Sequence, residues 1–202
     1  VGSEMCIRDR GSNGVFSYGG TSSTSSSSGD GTVVNISDSK ITTKKDNSGG
    51  IMTTGGGSMN ATNLVVNTAG TSSAAIRSDR GGGEVKVSKG TYATTGKGSP
   101  AIYSTANITV NDAKLISKKS EGVVVEGKNS ITLNNTTLTD TNTELNGKST
   151  TYKNIFIYQS MSGDADDGVN TFTAKNSKII TNKGDTIYVT NTKSNVVLEN
   201  NT

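Results

Sequence analysis

Hydrophobic and polar residues alternate along this chain in short runs that return at nearly constant intervals. Val34, Ile36, Ile41 and Ile51 lie at offsets of 0, 2, 7 and 17 residues, and later sets repeat most of this spacing. The first apolar residue of each set is Val34, Met59, Val85, Ile108, Ile131, Phe172 and Val196. Alternation with a period of two is typical of half-buried strands, so each set predicts short strands separated by turns.

A residue type that tolerates a left-handed backbone follows the first apolar position by four residues in every set. These residues are Asp38, Asn63, Gly90, Asp112, Asn135, Asn176 and Asn200. Such residues adopt positive φ more readily than others, so the chain is expected to turn sharply there between two strands. One such unit cannot bury its own apolar face, whereas stacked units can. The pattern predicts an all-β fold, a parallel β-helix solenoid of six to seven coils with roughly 23–26 residues each.

Some segments depart from the repeat. Insertions near residues 141–153 and 159–168 widen one interval between sets to 41 residues. The first ten residues, VGSEMCIRDR, contain the only cysteine and two of the four arginines. They resemble a translated sequencing-adapter sequence, so residues 1–10 are expected to be artefactual or disordered, and residues 11–202 to form the β-helix domain. The serine-rich stretch Thr21–Ser28 is interpreted as a loop or linker.

Composition narrows the possible functions. Ser, Thr, Asn and Gly make up 103 of 202 residues, and hydrophobic residues make up 30%. That apolar fraction is too low for a thick helical or α/β core, where about 45–50% is usual. The chain has no histidine and one cysteine, which excludes histidine-based catalysis, histidine metal ligands and an internal disulfide framework. No apolar run approaches the ~20 residues of a membrane helix.

Three segments carry a resemblance to a known family. GTVVNISDSKITT, SAAIRSDRGGG and GKNSITLNNTTLTDTN resemble the right-handed parallel β-helix repeats of bacterial adhesin-like surface proteins, within the pectate-lyase-like superfold. The resemblance covers roughly residues 14–202, and clostridial carbohydrate-binding β-helices are similar. It implies an extracellular or cell-surface bacterial protein. Because solenoids need capped ends to avoid edge pairing, this chain is expected to be a fragment that the rest of the parent chain caps at both ends. It implies the fold more than any activity, because β-helices host lyases, hydrolases and adhesins alike. A β-sandwich is the alternative fold, but it does not require fixed offsets.

One predicted column of side chains concentrates the aromatic residues. If Val15, Ile51 and their counterparts point inward, the next residue of each strand points outward. This outward column is Phe16, Met52, Arg77, Tyr103, Val124, Phe156 and Tyr188, with Tyr18 and Tyr158 on the same face. Exposed aromatic rings bind the C–H faces of sugars, and arginine adds polar contacts. The candidate carbohydrate-binding residues are therefore Phe16, Tyr18, Arg77, Tyr103, Phe156, Tyr158 and Tyr188. The alternatives are that these residues stack to stabilise the sheet, or that the insertions or the rest of the parent chain cover them.

A second column carries hydroxyl groups. Thr43, Thr68, Thr94, Ser117 and Thr181 each lie two residues beyond the third apolar position of their set. They are expected to point inward and to hydrogen-bond from coil to coil across about 4.8 Å. Asp140 interrupts the column just before the first insertion, where the coil is expected to distort.

Acidic residues in the second insertion raise the question of a metal. Asp164, Asp166 and Asp167 lie in SGDADDG, and Ca²⁺ prefers such oxygen ligands. The glutamate that would complete an EF-hand loop is absent, because position 175 is Lys175. A solvated turn is the alternative, and no other cofactor is expected.

Catalysis needs groups within reach of one bond. The charged residues Arg77, Asp79 and Arg80 lie about three coils, or roughly 14 Å, from those of the second insertion. They are not expected to form one centre unless that insertion folds back, and Arg77 is expected to pair with Asp79.

The function expected from these observations is a non-enzymatic, adhesin-like β-helix that binds extended carbohydrate through the aromatic column. A structural stalk without a ligand and a polysaccharide lyase or glycoside hydrolase are the two alternatives. The net charge is only +3 and the lysines are dispersed, so nucleic acid is not an expected partner. A flat array of threonines for ice binding is absent from the outward positions.

Overall fold

The computed structural model describes residues 3–21 and 29–202, and these residues form strands and turns without a helix. Residues 22–28 of the serine-rich stretch lie outside the described residues, so its interpretation as a loop or linker stays a prediction. The strands are β1 (Glu4–Ile7), β2 (Val15–Tyr18), β3 (Val33–Ser37), β4 (Lys40–Thr43), β5 (Ile51–Thr54), β6 (Gly57–Thr68), β7 (Ile76–Ser78), β8 (Gly83–Thr94), β9 (Ile102–Ser104), β10 (Asn107–Asn111), β11 (Lys114–Ser117), β12 (Val123–Glu126), β13 (Ser130–Asn134), β14 (Thr137–Asp140), β15 (Lys153–Tyr158), β16 (Val169–Lys175), β17 (Lys178–Thr181), β18 (Asp185–Thr190) and β19 (Lys193–Glu199).

The strands pair in parallel with strands one coil away, which confirms the predicted parallel β-helix. A sheet of seven strands has the order β18-β15-β12-β9-β7-β5-β2, and we call it face C. The other twelve strands form one sheet in two parts. Face A pairs the strand that opens each coil, from β3 to β19, and face B pairs the strand after the corner, from β1 to β17. The long strands β6 and β8 run through the corner and join the two parts.

The corner between faces A and B confirms the predicted left-handed residues. All seven of these residues have positive φ, from 47° at Asp38 to 95° at Gly90. Their side chains also form a ladder, since the Asn63 amide donates to Asp38 Oδ1 at 2.7 Å and the Asn135 amide donates to Asp112 Oδ1 at 2.6 Å. Each coil therefore turns at the same place, and the strands on either side stay in register.

The core lies between the three faces and consists of stacked apolar side chains. On face C, Ile51 pairs with Ile76 and Ile76 pairs with Ile102, and all three side chains are fully buried. Leu133 on face A and Leu115 on face B are equally buried. Since each inward residue covers its counterpart in the next coil, stacking buries apolar area that a single coil leaves exposed.

Four of the five members of the hydroxyl column are buried as predicted, but most of their hydrogen bonds differ from the prediction. Thr43 Oγ1 donates to the carbonyl of Ser48 in its own coil at 2.6 Å, and Thr68 and Thr94 make the equivalent bond. Only Thr94 reaches the next hydroxyl, Ser117, at 3.4 Å. The carbonyl five residues onward closes the turn within the coil, so it takes the proton that was expected to bridge two coils.

A different serine column links the coils at the start of face C. The Ser48 N–H donates to Ser73 Oγ at 3.0 Å, and the Ser73 N–H donates to Ser99 Oγ at 2.9 Å. Each serine follows its threonine by five residues, so the repeat itself carried this signal. Thr181, the last predicted member of the threonine column, is only half-buried.

The N-terminal segment contributes a strand. β1 pairs with β4, which places Met5 beside Ile41, and Met5 packs against the core. The offset of ten positions from Met5 to Val15 equals that from Ile41 to Ile51, so this segment follows the spacing of the later coils. The proposed foreign origin of residues 1–10 is a separate matter and stays a prediction.

Candidate functional site

The predicted outward column of face C lies in one continuous register. Phe16 pairs with Met52 and Met52 with Arg77. The column continues from Arg77 through Tyr103 and Val124 to Phe156 and Tyr188. The alternation seen in the sequence therefore places all seven side chains on the same side of the sheet.

The exposure of this column is uneven, so it matches neither a fully exposed row of rings nor a fully covered face. Phe16 and Tyr18 at one end are 49% and 51% exposed. Met52 and Val124 retain only 7% and 5% exposure. Two connections cover the middle of the face: loop 1 (residues 141–152), between β14 and β15, and loop 2 (residues 159–168), between β15 and β16.

Both loops fold back over earlier coils. In loop 1, the Thr143 N–H donates to the Lys118 carbonyl at 3.1 Å. Asn146 of the same loop lies so close to Gly98 that a Cβ added to Gly98 would be 2.9 Å from Asn146 Oδ1. In loop 2, Asp164 reaches Arg80, whose Nε donates to Asp164 Oδ1 at 2.6 Å across 84 residues of chain. The charged groups that were expected to lie about three coils apart are thus brought together by the fold-back of loop 2.

The loops and face C enclose a cleft of about 330 Å³. Its lining includes four of the predicted binding residues, namely Arg77, Tyr103, Phe156 and Tyr158. Phe16, Tyr18 and Tyr188 are not among the lining residues. A volume near 300 Å³ is at the lower end for ligand pockets, and the cleft is the candidate functional site.

Phe156 is already engaged by its neighbours. Its ring stacks on Tyr158 with centroids 4.5 Å apart and planes 4° apart, and Lys153 Nζ lies 4.4 Å from its centroid. Tyr188 is tilted against the same ring at 6.0 Å. These contacts match the alternative in which the aromatics stabilise the sheet, so the candidate site is the cleft rather than a row of free rings.

Glu126 is a buried residue of the site that the sequence reasoning missed. Its Oε2 accepts hydrogen bonds from the Tyr103 and Tyr158 hydroxyls, the second at 3.1 Å, and its Oε1 accepts one from Ser160. The Glu126 side chain is fully buried, and Ser160 of loop 2 contacts its carboxylate. A signal was available, because Glu126 occupies the place on β12 that Tyr158 occupies on β15.

A chain of side chains fastens loop 2 to the coils. Ser160 and Ser162 share a hydrogen bond of 2.6 Å between their hydroxyls, and Ser162 donates to Asp164 Oδ2 at 2.7 Å. Ser160 donates to Glu126, and Asp164 pairs with Arg80, so both ends of this hydrogen-bonded row of side chains are attached to face C or its edge. The Ser162 hydroxyl and the Arg80 guanidinium hold the pKa of Asp164 below its usual value.

The other lining carboxylates also have cationic partners. Arg77 Nη2 lies 3.5 Å from Asp79 Oδ2, which confirms the predicted pair. Lys153 Nζ lies 3.9 Å from Glu121 Oε1, and both of these side chains are buried. Each carboxylate that lines the cleft therefore has its charge balanced within the protein.

The two tyrosines of the cleft retain their protons. Burial, followed by the neighbouring Tyr158 hydroxyl and the Glu126 carboxylate, raises the pKa of Tyr103 far above its ordinary range. Burial and Glu126 likewise raise the pKa of Tyr158. Both phenols are therefore neutral hydrogen-bond donors toward Glu126.

A second polar cluster lies at the base of loop 1. Asp140 keeps its register between Ser117 and Thr181, so the distortion expected at this residue is not seen in β14. The Asn142 N–H donates to Asp140 Oδ1 at 3.0 Å, while Oδ2 has no partner among the described residues. Burial raises the pKa of Asp140 to about 8, opposed by the Asn142 hydrogen bond and reinforced by Glu121.

The carboxylates proposed to bind Ca²⁺ have separate surroundings. Asp164 pairs with Arg80, Asp166 is half-buried with its carbonyl accepting from the Lys128 N–H at 2.8 Å, and Asp167 is exposed. Over residues 3–21 and 29–202, no three acidic or cysteine side chains group as a metal ion needs. The calcium site stays a prediction without support from this arrangement.

Comparisons with protein-family models, curated proteins and solved structures find no match to this chain. The fold is therefore established by its strand pairing, and the function has to be argued from the cleft. The described part of the chain contains no helix long and apolar enough to cross a membrane.

Proposed function

We propose that this chain is a non-enzymatic, adhesin-like β-helix of a secreted or cell-surface protein, and that it binds carbohydrate in the cleft on face C. The observation that carries the proposal is the meeting of Tyr103, Tyr158 and Arg77 in a cleft bounded by the only two long departures from the repeat within residues 29–202. The extracellular setting rests on the resemblance of the repeats to bacterial surface proteins.

The lining has the chemistry of a sugar-binding site. Tyrosine rings supply flat apolar area for sugar C–H groups, and their oxygens, together with Asn146 and the paired carboxylates, supply polar contacts. The stacked pair of Phe156 and Tyr158 and the anchoring of loop 2 hold this lining in place before a ligand arrives. Preorganisation of this kind lowers the entropic cost of binding.

The chain offers a matched pair of variants to test the site. Tyr158 and Tyr18 occupy the same position of a face C strand, three residues after the inward Ile155 and Val15. Only Tyr158 lines the cleft. We expect Tyr158→Ser to lower the affinity for a bound polysaccharide at least about tenfold, or ~1.4 kcal/mol, and Tyr18→Ser to leave it unchanged.

The measurement is a glycan array followed by isothermal titration calorimetry with the polysaccharides that bind. Circular dichroism checks that both variants keep the β-rich spectrum of the unsubstituted chain. Equal losses in the two variants would contradict the cleft as the binding site. If the folded, unsubstituted chain binds no glycan on the array, the proposal is overturned and a structural stalk is favoured.

Polysaccharide cleavage is a second candidate, because the fold-back of loop 2 brings Asp164 beside Arg80 and Asp79 in a neighbouring depression. A general acid needs a raised pKa, whereas that of Asp164 is lowered. We therefore expect no reducing ends or unsaturated products when the chain is incubated with the glycans that it binds. Product formation that Asp164→Asn abolishes would favour the enzyme instead.

A further inference from the structure

We propose that the cleft takes sugar units that donate hydrogen bonds and carry no acidic group, so that it excludes uronic acids. This inference rests on the proposed function, since it names the class of carbohydrate that the same cleft recognises. Two independent features of the lining support it, the balance of charge and the direction of the tyrosine hydrogen bonds.

The charge balance leaves no lining cation free for an acidic ligand among residues 3–21 and 29–202. The three lining carboxylates Asp79, Glu121 and Asp164 are paired with Arg77, Lys153 and Arg80, respectively. A uronate would have to compete with a carboxylate of the protein for each of these cations. Burial makes that competition costly for Lys153, because Glu121 beside it would lose its only cationic partner among the described residues.

Glu126 adds a carboxylate without a cation. Its side-chain partners among the described residues are the hydroxyls of Tyr103, Tyr158 and Ser160. The immediate surroundings of the cleft therefore contain one more carboxylate than cations. A second negative charge brought by a ligand is repelled, and the low dielectric near a buried group strengthens that repulsion.

The tyrosine hydrogen bonds run in one direction. A phenol has a single proton to donate and keeps lone pairs to accept with. The Tyr103 and Tyr158 protons are both directed to Glu126 Oε2, so these two hydroxyls offer only acceptor lone pairs to a ligand. A sugar hydroxyl donates to such an acceptor, whereas a uronate oxygen only accepts and finds no donor there.

The test compares each acidic polysaccharide with its own carboxyl-reduced form. Polygalacturonate and alginate are titrated into the full chain before and after chemical reduction of the carboxyl groups to alcohols, which changes only C6 of each sugar. Neutral and glucosamine-containing polymers are included from the glycan array. We expect every polysaccharide that binds tightly to lack uronic acid. Where the carboxyl-reduced form of an acidic polymer binds, its affinity should exceed that of the acidic form at least about tenfold.

Uronic-acid polymers that bind as tightly as their reduced forms, or more tightly, would overturn this inference and leave carbohydrate binding intact. Failure of the folded chain to bind any glycan would overturn the proposed function, and the inference with it. The two failures are thus distinguishable in one experiment.

The variant Glu126→Gln gives a second readout of selectivity. Its amide removes the unpaired carboxylate and donates hydrogen bonds, which releases a tyrosine proton toward the cleft. We expect the preference for the reduced polymer over the acidic one to shrink in this variant, while Tyr18→Ser keeps the full preference. An unchanged preference in folded Glu126→Gln would contradict the role given to the Glu126 hydrogen bonds.

Discussion

Faces A and B differ from face C in what their outward residues do, although all three stack in the same parallel register. Along the corner of faces A and B, like residues repeat and bond to each other, as Asn63 does to Asp38. On face C the corresponding column changes from Met52 to Arg77 to Tyr103, and loops from other coils cover it. A column in which the same residue type recurs forms a structural ladder. The column in which the residue type changes from coil to coil borders the candidate site.

The difference also concerns the origin of the contacts. Contacts on faces A and B join residues one coil apart, so they follow from the repeat. The loops that shape the cleft also reach coils further away, since Asn146 of loop 1 lies against Gly98 and Asp164 of loop 2 pairs with Arg80 across 84 positions. Four predictions separate the regular stack from the loop-covered face, in order of decreasing effect.

The largest effect is expected in the regular core. Leu133→Ala removes a fully buried side chain of β13 and leaves a cavity between two coils, so the free energy of unfolding should fall by about 2–5 kcal/mol. Val124→Ala trims an outward side chain that borders the cleft and should cost less. Urea unfolding followed by circular dichroism measures both, and a greater loss in Val124→Ala would reverse the comparison.

The next effect concerns the pH dependence of stability at the base of loop 1. Because the pKa of folded Asp140 is about 8 and its unfolded value is near 4, the folded state holds a proton that the unfolded state releases between these values. Stability from this group is therefore full below pH 4 and falls as pH rises toward 8, by about 1.4 kcal/mol per pH unit at its steepest. Asp140→Asn should remove this slope.

Urea unfolding at pH 5, 6, 7 and 8 measures that slope in the unsubstituted chain and in the variant. Their difference isolates Asp140 from the remaining carboxylates, which both proteins share. Parallel curves for the two proteins across this range would show that Asp140 titrates normally.

A smaller effect is expected at the corner of faces A and B. Asn63 has a φ of 53°, where a residue with a Cβ pays about 1–2 kcal/mol unless its side chain suits the left-handed region. Asn63→Ala should lower the free energy of unfolding by about 1 kcal/mol, and Asn63→Gly should cost less because glycine lacks the Cβ. Equal losses in urea unfolding would attribute the effect to the lost Asp38 hydrogen bond instead.

The smallest effect on global stability is expected at the anchor of loop 2. Arg80→Gln removes the ion pair with Asp164, and exposed ion pairs contribute little to stability, so the urea midpoint should stay unchanged. Hydrogen exchange should nevertheless accelerate in residues 159–168 while β13 keeps its protection. Unchanged exchange in loop 2 would mean that its other contacts, including Ser160 with Glu126 and Asp166 with Lys128, hold it without Arg80.

Much of the fold was predictable because the same local signal recurs in every coil. Alternation placed Ile51, Ile76 and Ile102 inside, and the Asn, Asp and Gly positions marked the corners. Most of the threonine column was located correctly, but most of its bonds were not, because a carbonyl in the same coil, such as that of Ser48, competes with the next hydroxyl. Sequence periodicity predicts which way a side chain points, but it does not predict which group the side chain hydrogen-bonds.

The candidate site was predictable only in part. Alternation along the strands predicts the outward column, and it places Glu126 at the same position as Tyr158, but a search for aromatic residues does not select a glutamate. The coverage of Val124 and the pairing of Arg80 with Asp164 had no periodic signal, because the loops that create them interrupt the repeat.

Local sequence patterns are sufficient to predict the stacked coils, their corners and the side of face C on which each residue lies. These features depend on hydrophobic alternation and backbone preference, which act over a few residues and are reinforced by every neighbouring coil. The fold-back of loops 1 and 2, the burial of Glu126 next to Tyr103 and the cleft itself arise only in the folded chain. Those outcomes depend on contacts between distant residues, which local patterns do not encode.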